Sequence, residues 1–181
     1  MIDDLDATLA ELLAHELPER IKDQITITFD PPVDQFIAQR VTLPAIDLFL
    51  YDIRENLELR GNDYIERRSA GGVSRRLPLV RVDCSYLITA WPSTNVADPA
   101  QDEHRLLSAA MLALLRHTTL PEVLLHGVLR SQELPLPAAT LQPGRLQSLG
   151  EFWQALGGKP KAALNYTVTI AVPPGDDYVT P

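Results

Sequence analysis

The residues whose types could support chemistry are few, and their spacing is poor for it. One of the four histidines follows two acids in the run Asp102-Glu103-His104, which has the residue types of a metal site. The two acids are consecutive at the start of a predicted helix and therefore face different directions. We interpret the run as a solvated first turn whose negative charge suits the helix dipole, and we predict no metal site.

The single cysteine and the strand carboxylates give no clearer catalytic group. Cys84 lies mid-strand among apolar residues, which indicates a buried inert thiol rather than a nucleophile. Asp47 and Asp52 are five residues apart, which places them on opposite faces of a regular strand. Asp47 and Asp83 could meet only through a strand pairing that the sequence does not define.

Motifs of the common nucleophile and nucleotide sites are also missing from the sequence. It contains no G-x-S-x-G, no G-x-G-x-x-G after a strand and no G-x-x-x-x-G-K-[ST]. We predict no catalytic residue, no cofactor and no enzyme. A small hydrolase with an unrecognised site remains an alternative.

Arginine is the residue type that stands out. The chain has 13 Arg and 3 Lys, and five of the arginines lie in a 15-residue window without an acid: Arg67, Arg68, Arg75, Arg76 and Arg81. The planar guanidinium pairs with carboxylates in a bidentate manner and is common at protein interfaces. We predict that these five residues belong to a subunit interface; the alternative is base composition combined with a solvated loop.

The net charge of −8 is distributed unevenly. Residues 1–60 carry 5 basic and 13 acidic side chains, residues 61–120 carry 7 and 6, and residues 121–181 carry 4 and 5. The overall acidity argues against binding to nucleic acid, which requires clustered cations. An acidic first third and a cationic segment on one chain are complementary, so copies could join head to tail into a ring.

Apolar periodicity predicts an α+β fold, with a mixed or antiparallel sheet and helices packed on it. Hydrophobic residues make up 45% of the chain and charged residues 22%, as in globular domains. The predicted helices lie at residues 3–17, 98–115 and 148–156, and the predicted strands lie at residues 25–29, 44–53, 77–91, 134–141 and 162–172.

One domain over residues 1–173 is expected from the length. Residues 55–76 are polar and contain Gly61, Gly71 and Gly72, which predicts a long hairpin arm or loop, and residues 174–181 are predicted to be a polar tail. The acidic N-terminus is unlike a signal peptide, and no apolar run is long enough to span a bilayer. We therefore expect a soluble protein made in the cytoplasm, without direct membrane insertion.

Seven stretches in order carry a resemblance over about residues 2–172. They are 2–9 (IDDLDATL), 48–56 (LFLYDIREN), 67–69 (RRS), 82–91 (VDCSYLITAW), 102–107 (DEHRLL), 152–158 (FWQALGG) and 164–170 (LNYTVTI). Together they resemble the cap, or tail-terminator, proteins of extracellular contractile injection systems. These phage tail-like particles drive an inner tube out of a contracting sheath.

The resemblance implies a phage tail-terminator fold and a structural role without catalytic residues. It implies a hexameric ring on the end of the inner tube and sheath distal to the baseplate, which stops polymerisation and couples tube to sheath. The implied partners are further copies of the chain, the inner tube protein, the sheath protein and a second cap protein. An alternative is an adaptor at the same end that tethers the particle to a membrane or to a second cap protein, since such particles are either released or anchored.

The resemblance also implies an open strand edge, because sheath subunits in such particles link by exchanged strands. One candidate is the last strand, with Tyr166, Val168 and Ile170 as its strand-exchange residues, and the other is the interval 25–29. The alternative is that both are ordinary interior strands.

Overall fold

The computed structural model of the chain describes residues 1–33, 41–61, 65–69, 72–143, 148–175 and 178–180, with 65–69, 72–76 and 178–180 described by their backbone. These residues contain eight strands: β1 Thr26–Thr28, β2 Ala45–Glu55, β3 Ile65–Ser69, β4 Gly72–Arg76, β5 Val80–Trp91, β6 Ala138–Thr140, β7 Leu164–Val172 and β8 Tyr178–Thr180. They also contain four α-helices: α1 Ile2–Glu16, α2 Glu19–Lys22, α3 Pro99–Leu115 and α4 Leu149–Ala155. Two 3₁₀-helices follow α3, at Glu122–Leu124 and Gly127–Ser131.

The strands form a five-stranded and a three-stranded sheet. The larger, which we call the main sheet, has the order β1-β2-β5-β7-β6, and the smaller has the order β3-β4-β8. In the main sheet β1 runs parallel to β2, and all other neighbours are antiparallel. The predicted α+β class with a mixed sheet is confirmed.

Helices α3 and α4 begin at the residues that the sequence indicates. The Asp98 side chain accepts a hydrogen bond of 3.1 Å from the backbone N–H of Gln101, and Pro99 occupies the first turn of α3. Ser148 caps α4 in the same way, accepting from the backbone N–H of Glu151 at 3.2 Å. These caps satisfy backbone donors that a helix start otherwise leaves unpaired.

The apolar core lies between one face of the main sheet and helices α1 and α3. Leu9 and Leu13 of α1, Leu114 of α3, and Tyr86 and Tyr166 of the sheet are all fully buried there. The Tyr86 hydroxyl donates a hydrogen bond of 2.8 Å to Asp6, so the one polar atom of this large side chain has an acceptor. The core is therefore continuous from helix layer to sheet.

The opposite face of β5 is also buried but polar. Asp83, Ser85 and Thr89 alternate on it and are between 0% and 7% exposed. A bulge between Leu50 and Asp52 shifts the register of β2, so that Asp52 pairs with Ser85 on this polar face. The prediction that Asp47 and Asp52 lie on opposite faces assumed a regular strand and is wrong.

The arm predicted at residues 55–76 contains the hairpin of β3 and β4. Its strands pair antiparallel, and β8 pairs with β4 on the other side. Residues 178–180, predicted as part of a polar tail, thus form a strand. Within the described residues, no helix is long and apolar enough to cross a membrane.

Candidate protein interaction site

The hairpin carries four of the five predicted interface arginines. In its antiparallel register Arg75 pairs with Glu66. Because successive strand positions alternate between faces, Arg67 and Arg76 occupy one face of the hairpin, and Arg68 and Arg75 occupy the other. The backbone register therefore places the four arginines as two pairs of positions on opposite faces of the hairpin.

Arg81, the fifth predicted interface residue, is buried at the start of β5. It is 6% exposed, and its Nη2 donates a hydrogen bond of 3.1 Å to the carbonyl of Pro135. Burial lowers the pKa of the guanidinium, and the charge of Asp83 partly offsets this effect. Its Nε has no hydrogen-bond partner in the described part of the chain. Arg81 is therefore not part of an exposed cationic surface.

The strand predicted to offer an open edge, β7, has neighbours on both sides. It pairs with β5 along its length and with β6 at Tyr166 and Val168. Beyond β6, the side chain of Gln132 accepts from the backbone N–H of Ala171 at 2.9 Å and donates to its carbonyl at 2.8 Å. Tyr166, Val168 and Ile170 are buried in the core. The expected open edge is thus occupied within the chain, and strand exchange at these residues stays a prediction.

The second candidate interval contains β1, which is an edge strand. β1 pairs with β2, and no strand of the described residues pairs with its outer side. The Thr28 hydroxyl donates a hydrogen bond of 2.8 Å to the Asp30 carboxylate just after the strand ends. Of the two intervals considered from the sequence, 25–29 is the one at a sheet edge.

The groups considered for chemistry are engaged or buried. Asp102 forms an ion pair with Arg105, and Glu103 forms one with Lys161. Among the residues that the structure describes, no group of three His, Cys, Asp or Glu side chains could hold a metal ion. Cys84 is fully buried, and burial raises the pKa of its thiol to about 11, so that it is protonated at neutral pH.

A cluster around Glu16 joins the ends of α1 and α3, and the sequence did not indicate it. The Glu16 carboxylate lies 3.0 Å from Nη1 of Arg116 and 3.1 Å from Nε2 of His117, and Nδ1 of His15 lies at 3.1 Å. These contacts, with Arg116 the largest cause, lower the pKa of Glu16 to about 2. Two of the partners are about 100 residues away along the chain, so no local spacing could have shown the cluster.

Asp47 is a fully buried carboxyl group on the polar face of the main sheet. The Thr89 hydroxyl lies 3.4 Å from its Oδ2, and Trp91 Nε1 donates to that hydroxyl at 2.9 Å. Its Oδ1 has no hydrogen-bond partner among the described residues. Burial raises the pKa of Asp47 to about 8, so the group is largely neutral at pH 7. The sequence could not show this, because Asp47 stands in an ordinary alternating strand.

The sequence that folds into this mixed sheet with packed helices also matches the model of a known protein family. Residues 4–180 match the Pvc16 N-terminal domain. The chain belongs to this family. Together with the two solved structures described next, this match confirms the resemblance of the sequence to cap and tail-terminator proteins of contractile injection systems.

Two solved structures are similar to this chain. One is the sheath/tube terminator of the extracellular contractile injection system PVC in its extended state: 28% identical, with a TM-score of 0.72, covering 100% of this chain and 60% of that chain. The other is the tube terminating cap of the anti-feeding prophage: 31% identical, with a TM-score of 0.69, covering 97% of this chain and 56% of that one. The chain thus spans less than two thirds of either relative. No curated protein matches it.

Proposed function

We propose that this chain is a structural cap of a contractile injection particle. It seats on the end of the inner tube and sheath distal to the baseplate, stops their polymerisation and couples one to the other. The observation that carries the proposal is the similarity of the whole chain to a sheath/tube terminator at a TM-score of 0.72. The role is assembly rather than catalysis, and the particle is assembled in the cytoplasm before it is released or anchored.

A ring of six copies is part of the proposal. The hairpin presents cationic positions at 67–76, whereas residues 1–60 hold the net −8 charge of the chain. Contacts between unlike surfaces of identical subunits are heterologous, and they close into a ring when the rotation permits. Arg67 and Arg76 on one copy would then meet carboxylates of the next.

A terminator also needs one surface that docks and one that does not. We assign docking of a sheath strand to the outer side of β1, because β1 lies at the edge of the main sheet. The opposite edge strand, β6, is as short as β1, but it is preceded by Pro135 and Pro137, which cannot donate to a sheet. The two edges of the main sheet thus differ in the way that a cap requires.

Electron microscopy of particles from a strain lacking the protein tests the cap. We expect tubes and sheaths of uncontrolled length, and normal length after the full chain is restored. Particles of normal length that are mislocalised would contradict the cap and support the adaptor at the same end.

The ring is tested separately by native mass spectrometry of the purified chain over a range of concentrations, with and without assembled tubes. Hexamers in solution or only on tubes support the ring. Chains that remain monomeric on tubes of normal length would contradict it.

A further inference from the structure

The base of the hairpin contains a groove that the proposed cap role does not use. The groove has a volume of about 250 Å³, and its walls include Leu59, Pro78, Leu79 and Leu134, with Arg81 also lining it. Leu59 is 48% exposed and Leu134 is 40% exposed, so two of its apolar side chains are open to solvent. Apolar side chains left open around a charged group are typical of binding sites.

Both walls of the groove are fixed by hydrogen bonds. On one side the Asn56 side chain accepts from the backbone N–H of Leu59 at 3.0 Å, and its own backbone N–H donates to the Arg81 carbonyl at 2.8 Å. On the other side Gln132, two residues before Leu134, makes two hydrogen bonds to the backbone of Ala171. The groove is therefore preformed, which lowers the ordering cost of binding.

Among the described residues, the buried guanidinium in this groove makes no hydrogen bond to a carboxylate, and the charge of Asp83 offsets its burial only in part. Among the described residues its hydrogen-bond acceptor is the neutral carbonyl of Pro135, and its Nε has none. A buried cation whose charge is offset only in part is costly, and a carboxylate is the acceptor that guanidinium binds most strongly. Glu133 also lines the groove, but it is engaged in an interaction of its own.

A second groove lies beside the first and shares part of its wall. A cavity of about 310 Å³ next to it shares Gly61, Pro78 and Leu79 with the first. An extended segment is long enough to contact both, whereas a small molecule would fill only one. We propose that this groove binds an extended segment of a partner protein, with an apolar side chain between Leu59 and Leu134 and an adjacent Asp or Glu carboxylate on Arg81.

The probe is a blocked hexapeptide, acetyl-Ala-Ala-Leu-Asp-Ala-Ala-amide, titrated into the full ¹⁵N-labelled chain. We expect a shift of the Arg81 Nε–H signal in the NMR spectrum, with a Kd of about 1–10 mM, as suits a short flexible ligand. Peptides with Asn in place of Asp, or Ala in place of Leu, should bind at least about fivefold more weakly.

Variants of the protein locate the site. Leu134→Ser should weaken binding at least about fivefold, whereas the control Leu112→Ser, at a 55% exposed position of α3, should leave it unchanged. The Arg81→Lys variant identifies the Arg81 Nε–H signal, because the substitution removes that group. If this variant does not fold, the binding measurements with Leu134→Ser and with the three peptides still test the proposal.

Three results would overturn the proposal. One is no shift of the Arg81 signal up to about 20 mM peptide, and another is equal binding of the Asn peptide. The third is a shift of the Arg81 signal when only the protein concentration is changed, which would show that the groove binds a second copy of the chain. All these measurements use the isolated chain, so a negative result would not contradict the proposed cap function. A negative result for the cap function would likewise not affect the test of peptide binding to the groove.

Discussion

The two sheets of the molecule are held by different forces. The central strands of the main sheet are buried on both faces, one against apolar helices and one within a polar layer that includes Asp47 and Asp83. The sequences of the hairpin strands are IERRS and GVSRR, which supply few apolar side chains, and the small sheet is joined by backbone pairing of β3, β4 and β8. Stability should therefore reside in the main sheet, and the hairpin should be free to make contacts.

The largest effect on stability is expected from the apolar face of the main sheet. Leu48 is fully buried there, and its replacement in Leu48→Ala leaves a cavity that the packed helices cannot fill. We expect the free energy of unfolding to fall by about 3 kcal/mol, measured by urea unfolding followed by circular dichroism. Leu112→Ala, at an exposed position, should change it by less than about 0.5 kcal/mol. A loss below about 1 kcal/mol in Leu48→Ala would contradict the assignment of stability to this core.

The polar face of the same sheet should respond in the opposite direction. The pKa of Asp47 is raised to about 8 in the folded chain, against about 4 when unfolded, so the group costs stability increasingly as the pH rises from 4 to 8. Asp47→Asn removes this cost and should stabilise the protein by about 2 kcal/mol at pH 8, with no gain at pH 4.

The measurement for Asp47→Asn is urea unfolding at pH 4, 6 and 8. Asp23→Asn, the same change at an exposed position, serves as the control. A gain at pH 8 no larger than that at pH 4 would show that Asp47 is ionised in the folded state.

A smaller effect is expected where α1 meets α3. The pKa of Glu16 is lowered to about 2, so its contribution is present above about pH 4.5 and is lost as the pH falls through 2. Glu16→Gln should destabilise the chain by about 1 kcal/mol at pH 7, and the difference should vanish near pH 2. Thermal unfolding at both pH values measures it, with Glu11→Gln, on an exposed position of α1, as the control. An equal loss at both pH values would point to packing rather than charge.

Local patterns predicted most of the fold. The starts of α3 and α4 follow from Asp98 and Ser148, because caps act over three residues. The alternation of β5 and β7 predicted both strands, whereas the face of Asp52 was predicted wrongly, since a bulge leaves no clear mark in the alternation of β2. Strand order depends on contacts between distant segments, which neither periodicity nor capping encodes.

The interaction site was predictable only in part. The arginine cluster is visible as composition, but its division into two faces depends on the register of the hairpin. Arg81 belongs to the same window by sequence and yet is buried, because β5 begins at Val80 and carries it under the chain at Pro135. The groove at Arg81 is made by residues about 50 positions apart, and only the fold brings them together.

The smallest effect on stability, with the largest on assembly, is expected from the hairpin. Arg75 stands opposite Glu66, so the face of Arg68 and Arg75 already contains an acid of its own, whereas the sequence places none on the face of Arg67 and Arg76. Reversing Arg67 and Arg76 to Glu should abolish ring formation or docking on tubes, and reversing Arg68 and Arg75 should weaken it less. Both double variants should keep the free energy of unfolding within about 0.5 kcal/mol of the parent, because the sequences of the hairpin strands supply few apolar side chains. Native mass spectrometry and electron microscopy on tubes compare the two. Normal assembly of both double variants would show that the hairpin is not part of the interface. An equal loss of assembly in both would show that the contact depends on total charge rather than on one face of the hairpin.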